Sequence, residues 1–392
     1  MNRSTSYSKP KIGKFIFLLA NQEIHTVIFE GGLLIECPPL LFHSLFFRLS
    51  QSKSAFLSPK SQTMLIKPFL LFLCVFFALP LFAQLKPAPL DDGYRGGHIA
   101  GIKKLDGALN FIVFGDWGRM GEYFQKGVAR EMGKAGYDLE PEFLVVTGDN
   151  FYPNGVASVQ DYQWIGSFES IYSASSLQCP WYVVLGNHDY RGNVQAEIDY
   201  SKISRRWTMP ERYYSKKVMI DEDPAQQVLM VFIDSSPFIT GYYEEAKYAN
   251  VRQQDTAAQK RWLEQTLSDN DPQIKWKIVV GHHPLYTGGD RIDDPSTLDM
   301  RKSFKPLFDK YNVDLYLCGH EHSLQYVKPE GKTHYFISGA GSEATEAVKY
   351  PQIGKFAAAQ GGFMAFSLTE KKALVQVINH LGKVLYVSEI GK

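Results

Sequence analysis

Cysteine is scarce in this chain of 392 residues: there are four, and two of them, Cys37 and Cys74, lie near its N-terminus. A disulfide-built scaffold is excluded on that count. Charge of one sign is lacking too. The 42 basic and 41 acidic side chains leave a formal net charge of +1, so no global field directs the chain to nucleic acid or to an acidic membrane surface. There is no internal repeat and no low-complexity stretch. A run long enough to anchor the chain stably in a membrane is also missing, because the apolar segment 69–82 is short and interrupted by Pro80. Cys74 lacks a lipoprotein setting, since bulky Leu73 precedes it and more apolar residues follow.

What is present is material for a core, with 45% hydrophobic residues, 22 Tyr and 26 Phe. Met64-Leu65-Ile66-Lys67 opens a segment with one positive charge, and the run that follows ends in Leu81-Phe82-Ala83. Residues 64–83 read as a secretory signal cut after Ala83, which implies a secreted or periplasmic protein. Residues 1–63 stand upstream, where no secretory signal places sequence, and carry neither periodicity nor motif. They read as an upstream extension with no fold expected, the natural start being Met64; N-terminal mass mapping of the mature protein tests this. Residues 84–104 are rich in Pro, Gly and Lys and form an arm, and 105–392 form one domain. Cys179 enters a strand and Cys318 leaves one, so both are expected as buried thiols at opposite ends of a parallel sheet, too far apart to bridge.

β-type runs occur at 111–114, 143–146, 181–185, 277–280 and 314–318, and helical spacing at 125–135, 256–268 and 300–311. This alternation predicts an α/β protein with largely parallel strands. The C-terminal part changes character: strands at 334–338, 362–368, 373–379 and 384–390, the last three joined by short turns, predict a meander forming a second sheet packed on the first. Long connections at 152–179, 191–226, 235–255 and 285–298 hold the most irregular sequence.

Each of the five strand-like runs ends in a short motif. They are Gly115-Asp116-Trp117-Gly118, Gly148-Asp149-Asn150-Phe151-Tyr152, Gly186-Asn187-His188-Asp189, Gly281-His282-His283-Pro284 and Gly319-His320-Glu321-His322. A single Gly-Asp is an ordinary turn or helix cap. Two histidines flanking one residue on extended backbone point the same way, a metal-binding device but also a frequent accident. Five such loops together change the reading. They hold five of the ten histidines and put Asp, Asn, Tyr and His on loops at a sheet edge. Carboxylate, carboxamide, phenolate and imidazole donors without a thiolate suit iron, manganese or zinc. One Asp shared by two cations about 3.5–4 Å apart is the arrangement that clamps the attacking and leaving oxygens of phosphoryl transfer. A metal-bound hydroxide is then the nucleophile.

The five motifs resemble those of the calcineurin-like metallophosphoesterases, and the tyrosine in Gly148-Asp149-Asn150-Phe151-Tyr152 is similar to that of purple acid phosphatases of the small, tartrate-resistant type. Gly192-Asn193-Val194, the segment 200–207, Tyr316-Leu317-Cys318-Gly319-His320 and Ser338-Gly339-Ala340-Gly341 extend the likeness from about Leu109 to the C-terminus. The resemblance implies an αββα sandwich, two packed mixed β-sheets flanked by helices with a dinuclear metal site at the strand C-terminal edge. It also implies that Asp116, Tyr152 and His322 hold Fe3+, that Asn187, His282 and His320 hold Fe2+, Zn2+ or Mn2+, and that Asp149 bridges them. His188 would protonate the leaving group. The implied function is a secreted acid phosphatase acting on phosphate monoesters, with the phosphate-ester substrate as its partner and a monomeric chain. One departure stands out. The further histidine that animal enzymes of this type carry after Gly-His-x-Pro is missing from 285–294, where Asp290 and Arg291 stand instead, and Arg291 is a candidate substrate-binding residue. Two rivals remain: a phosphodiesterase on nucleotides or phospholipid headgroups, and a non-catalytic metal-binding or redox protein of the cell envelope.

Overall fold

The computed structural model describes residues 96–344 and 353–392, together with the backbone of two short strands, His25–Ile28 and Leu34–Cys37. Those two strands pair antiparallel within one compact unit, Met1–Leu90, and the rest forms a second, Asp91–Lys392. The signal segment and most of the arm lie outside the described residues. No helix among the described residues is long and apolar enough to cross a membrane.

Two seven-stranded mixed sheets make up the larger unit. In the first, β1 (Leu109–Phe114), β2 (Phe143–Val146), β3 (Trp181–Val183) and β4 (Trp207–Thr208) run parallel. The second is built from β5 (Tyr214–Ile220), β6 (Asp223–Phe232), β7 (Ile274–Val280), β8 (Leu315–Cys318), β9 (Leu324–Val327), β10 (His334–Ser338) and β11 (Gly354–Ala358). In it β6, β7, β8 and β10 are parallel, while β5, β9 and β11 pair antiparallel to their neighbours. β12 (Gly362–Leu368), β13 (Lys372–Asn379) and β14 (Val384–Gly391) form an antiparallel meander.

Period-two alternation sorts the side chains into layers. Phe111 and Val113 of β1 pack in one cluster with Met230, Phe232, Ile278 and Leu317, so the two sheets meet face to face. Ile112 and Phe114 point the other way, into a cluster holding Val128 and Met132 of α1 (Gln125–Leu139). Leu263 of α3 (Thr256–Leu267) and Phe304 of α4 (Pro295–Lys310) belong to the same outer cluster as Val279 of β7. Helices thus flank both sheets. Their starts are chemically marked: Asp255 accepts from the Ala258 N–H at 2.8 Å, and Asp294 accepts from the Ser296 N–H at 3.0 Å ahead of Pro295. Asn193 caps α2 (Val194–Tyr200) through the Ala196 N–H at 3.3 Å. The arm ends clipped to the meander, where the Gln376 side chain bonds both the N–H and the C=O of Lys103.

Three expectations need correction. The meander is not a second sheet: β12 pairs with β1, Phe366 opposite Phe111, and extends the first sheet, while β10 lies in the other beside β8. β12 is buried along its whole length and pairs on both edges, with β13 on one side and β1 on the other. The segment 191–226 is no irregular connection, since it holds α2, β4 and β5. Cys179 and Cys318 are free, but Cys179 stands just ahead of β3 of the first sheet and Cys318 ends β8 of the second, so they are not at two ends of one sheet, and Cys179 is only half-buried.

Candidate metal centre

The five motif loops follow β1, β2, β3, β7 and β8, all at the C-terminal ends of parallel strands, three from one sheet and two from the other. Glycine ends each strand because the loops crowd together. A Cβ on Gly186 would sit 2.2 Å from Asp149 Oδ1, and one on Gly319 would sit 2.3 Å from Asp116 Oδ2. Three of the polar residues adopt left-handed backbone, Asp116 at φ 58°, Asp149 at φ 48° and His320 at φ 70°. Such conformations cost about 1–3 kcal/mol each and persist where surrounding structure imposes them.

Two groups of three form, joined by one carboxylate. The Tyr152 hydroxyl lies 3.1 Å from Asp116 Oδ1 and 3.1 Å from His322 Nε2. Asn187 Oδ1 lies 3.1 Å from His282 Nε2 and 3.0 Å from His320 Nδ1. Asp149 Oδ2 touches both groups, 3.0 Å from the Tyr152 hydroxyl and 3.4 Å from His282 Nε2. All seven sequence-derived candidates therefore converge. The Thr147 carbonyl, 2.8 Å from His282 Nδ1, can only accept, so that nitrogen carries a proton and Nε2 faces the other donors.

The electrostatics are those of an anionic site short of positive charge. Burial pushes Asp116 well above the ordinary carboxylate range. Burial works the same way on Asp149, but His282 and His188 outweigh it and hold that carboxyl well below the range. His282 feels burial against its charged form, yet Asp149 and Asp116 pull its pKa up to about 9. Burial, reinforced by Asp116 and Asp149, raises the Tyr152 phenol far above its usual value, and burial lowers His322 to about 4.

His188 stands apart from these contacts. Its Nδ1 donates to the Pro153 carbonyl at 2.6 Å, and its Nε2, 3.9 Å from Asp149 Oδ2, is left for the cleft. That cleft, of 390 Å³, is also lined by Arg191, Tyr248 and Arg291. Arg291 Nη1 sits 2.9 Å from His320 Nε2. His283 also lies close enough to His282 and His320 to be a donor, but Ser235 Oγ and the Tyr242 hydroxyl, each at 2.8 Å, already occupy both its nitrogens. We place it in packing.

Some residues of the site were not singled out from the sequence. Arg191, three positions after His188, donates to the Tyr248 hydroxyl at 2.7 Å. Beneath the loops, Asn150 Nδ2 reaches Asp189 Oδ2 at 3.1 Å and Glu197 Oε2 at 3.0 Å, and Asp189 accepts the N–H of both Gly186 and Asn150 at 2.8 Å. Burial raises the carboxyls of both Asp189 and Glu197, Glu197 to about 8. Asp189 stands in a short 3-10 turn and Glu197 in α2, eight positions on, so no helical spacing links them and the sequence held no signal for the pair.

The pattern of the calcineurin-like phosphoesterase family matches residues 109–324. Purple acid phosphatase 7 of Arabidopsis thaliana is 35% identical over 299 residues, 74% of this chain and 88% of the relative. Tartrate-resistant acid phosphatase type 5 of Oryctolagus cuniculus is 31% identical, covering 72% and 91%. Among solved structures, GAP50, the anchor in the inner membrane complex of Plasmodium, superposes with a TM-score of 0.63 at 22% identity over 72% of this chain and 89% of that one, a likeness of fold. The chain belongs to the calcineurin-like phosphoesterases and, within them, to the purple acid phosphatases. It is an enzyme of the phosphoric monoester hydrolase class.

Metal-binding chemistry fits these residues. Oxygen and imidazole donors converge with no thiolate among them, the carboxylate shared by both groups is held in its anionic form by His282 and His188, and His282 turns Nε2 inward.

Proposed function

We propose that this protein hydrolyses phosphate monoesters at a dinuclear centre in which Asp116, Tyr152 and His322 hold ferric iron and Asn187, His282 and His320 hold ferrous iron, zinc or manganese, with Asp149 shared. The observation that carries the reading is the reach of Asp149 Oδ2 to both groups, 3.0 Å to the Tyr152 hydroxyl and 3.4 Å to His282 Nε2. Bound there, a cation pair would neutralise phosphoryl charge and would supply an activated water as nucleophile.

The chain's own side chains do the rest. Asp149 accepts the His188 N–H at 2.7 Å and so fixes the acid beside the shared carboxylate. With Nδ1 committed to the Pro153 carbonyl, it is the imidazolium form of His188, which burial disfavours, that gives its Nε2 proton to the ester oxygen as the P–O bond breaks and the alcohol leaves. Arg291 reaches the same cleft and offers a guanidinium to the phosphate. Export to the periplasm or medium belongs to the reading and rests on residues 64–83 alone.

Paired assays of glycerol phosphate and its methyl diester on the metal-loaded protein test the reaction class. Faster turnover of the monoester is expected. Preference for the diester would make the phosphodiesterase reading correct, and turnover of neither would favour a non-catalytic metal protein.

A further inference from the structure

The ring of Tyr152 carries a guanidinium on its face. Arg119 Cζ lies 3.6 Å from the ring centroid. The group is seated rather than adrift: Nε donates to Ser342 Oγ at 3.1 Å and Nη2 pairs with Glu343 Oε2 at 2.7 Å. Both side chains are about four-fifths buried, at 17% and 21% exposure, so water screens the pair little. The same Glu343 oxygen lies 3.7 Å from His322 Nδ1, a buried nitrogen without a hydrogen-bond partner among the described residues. Ser342 in turn donates to the Asp116 carbonyl at 2.7 Å, so the loop that bears Glu343 is tied to the loop that bears Asp116. An exposed ion pair contributes almost nothing to stability. This one is packed against two of the three side chains on one side of the centre, which an ion pair placed for stability alone would not require.

We propose that Arg119 and Glu343 are positioning residues that set, in opposite senses, the electron-donating strength of Tyr152 and His322. The inference rests on the reading that these two side chains hold ferric iron. A cation over an aromatic face is attracted to it, and more strongly when the ring is a phenolate. Arg119 therefore lowers the energy of the electrons Tyr152 shares with the metal. A carboxylate behind the outer nitrogen of a ligating imidazole raises that ligand's basicity. Glu343 therefore strengthens His322 as a donor, and its charge also keeps Arg119 on the ring.

The test is spectroscopic and electrochemical, on iron-loaded full-length protein. The oxidised wild type should show a visible phenolate-to-iron band, lost in Tyr152→Phe. Arg119→Met should move that band to longer wavelength, because the guanidinium lies on the ring and its loss raises the donor electrons more than it alters the metal. The ferric/ferrous midpoint potential of Arg119→Met should fall, since positive charge is removed. Arg119→Lys, which keeps the charge, should leave the band closer to wild type. Glu343→Gln should raise the potential, because it removes negative charge behind His322. Opposite signs in Arg119→Met and Glu343→Gln support the proposal, as a general loosening would move both the same way. Unchanged potentials at full iron content, or shifts of the same sign, would overturn it. If Arg119→Met does not retain iron, Glu343→Gln decides: a raised potential supports the proposal and an unchanged or lowered one refutes it. An iron-loaded wild type with no visible band would refute the Tyr152 assignment itself, whereas a band present but unmoved refutes only the tuning.

Discussion

Loading the metal-free protein should expel a proton from His282, and the pH dependence of that loading can be worked out from the site. His282 Nδ1 is committed to the Thr147 carbonyl, so the proton that makes the ring cationic sits on Nε2, the nitrogen turned toward Asn187 and Asp149. Burial disfavours the charge, but the two carboxylates hold the pKa at about 9, against 6.5 for an ordinary histidine. A raised folded value means that the proton stabilises the metal-free fold fully below about pH 6.5 and that this contribution is lost as pH climbs through about 9. A cation that needs Nε2 must remove the proton first. At pH 6 that is three pH units uphill, about 4 kcal/mol or a thousandfold weaker binding. Apparent affinity for zinc, measured by competition with a chelator, should rise about tenfold per pH unit from 6 toward 9 and then level off. Titration in weak buffer at pH 7 should show at least one proton released per chain. A flat affinity profile with no proton release would refute the reasoning, because the proton would then not be standing where the cation goes.

Other substitutions separate the roles of neighbouring residues. Asp149→Asn should deplete metal from both positions, and Asn187→Ala mainly from one, as read by metal analysis; equal loss of both in the two variants would count against a shared Asp149. His188→Ala should lower kcat for alkyl phosphates by roughly 10²–10⁴-fold and distinctly less for nitrophenyl phosphate, whose leaving group needs no proton, with metal content unchanged. Asp234, buried beside Tyr190 and Arg212, has its carboxyl raised by burial to about 6. Its contribution is present below about pH 3.8 and lost as pH rises through 6, a cost of up to about 3 kcal/mol at neutrality. Asp234→Asn should therefore stabilise the fold more at pH 7.5 than at pH 4, and a Tm difference independent of pH would contradict this.

Legibility in the sequence followed physical demand. The strands at 143–146 and 334–338 were readable because buried runs lead into glycines that the crowded loops require, and that at 362–368 because a nearly all-apolar run lies between Gly361 and the polar turn at 369–371. The same crowding concentrates Asp, Asn and His into motifs, and so the family was legible as well. The hairpin of β5 and β6 was not. β5 is largely exposed and carries Lys216 and Lys217, so no apolar run marks it, and its turn puts Asp221 and Glu222 at φ 51° and 57° where glycine or asparagine would have signalled a hairpin. Sheet membership of the meander depended on Phe366 meeting Phe111, a pairing that no local pattern encodes. Arg119 and Glu343 are single loop charges whose importance lies only in what they face.

The most direct test of the central claim is the initial rate of alkyl phosphate hydrolysis as metal-free protein receives iron and a divalent partner in measured equivalents. Activity should be absent at zero, remain low near one equivalent and reach its plateau at two per chain. A protein carrying two equivalents that turns over no phosphate monoester, or one fully active with a single ion, would contradict the account.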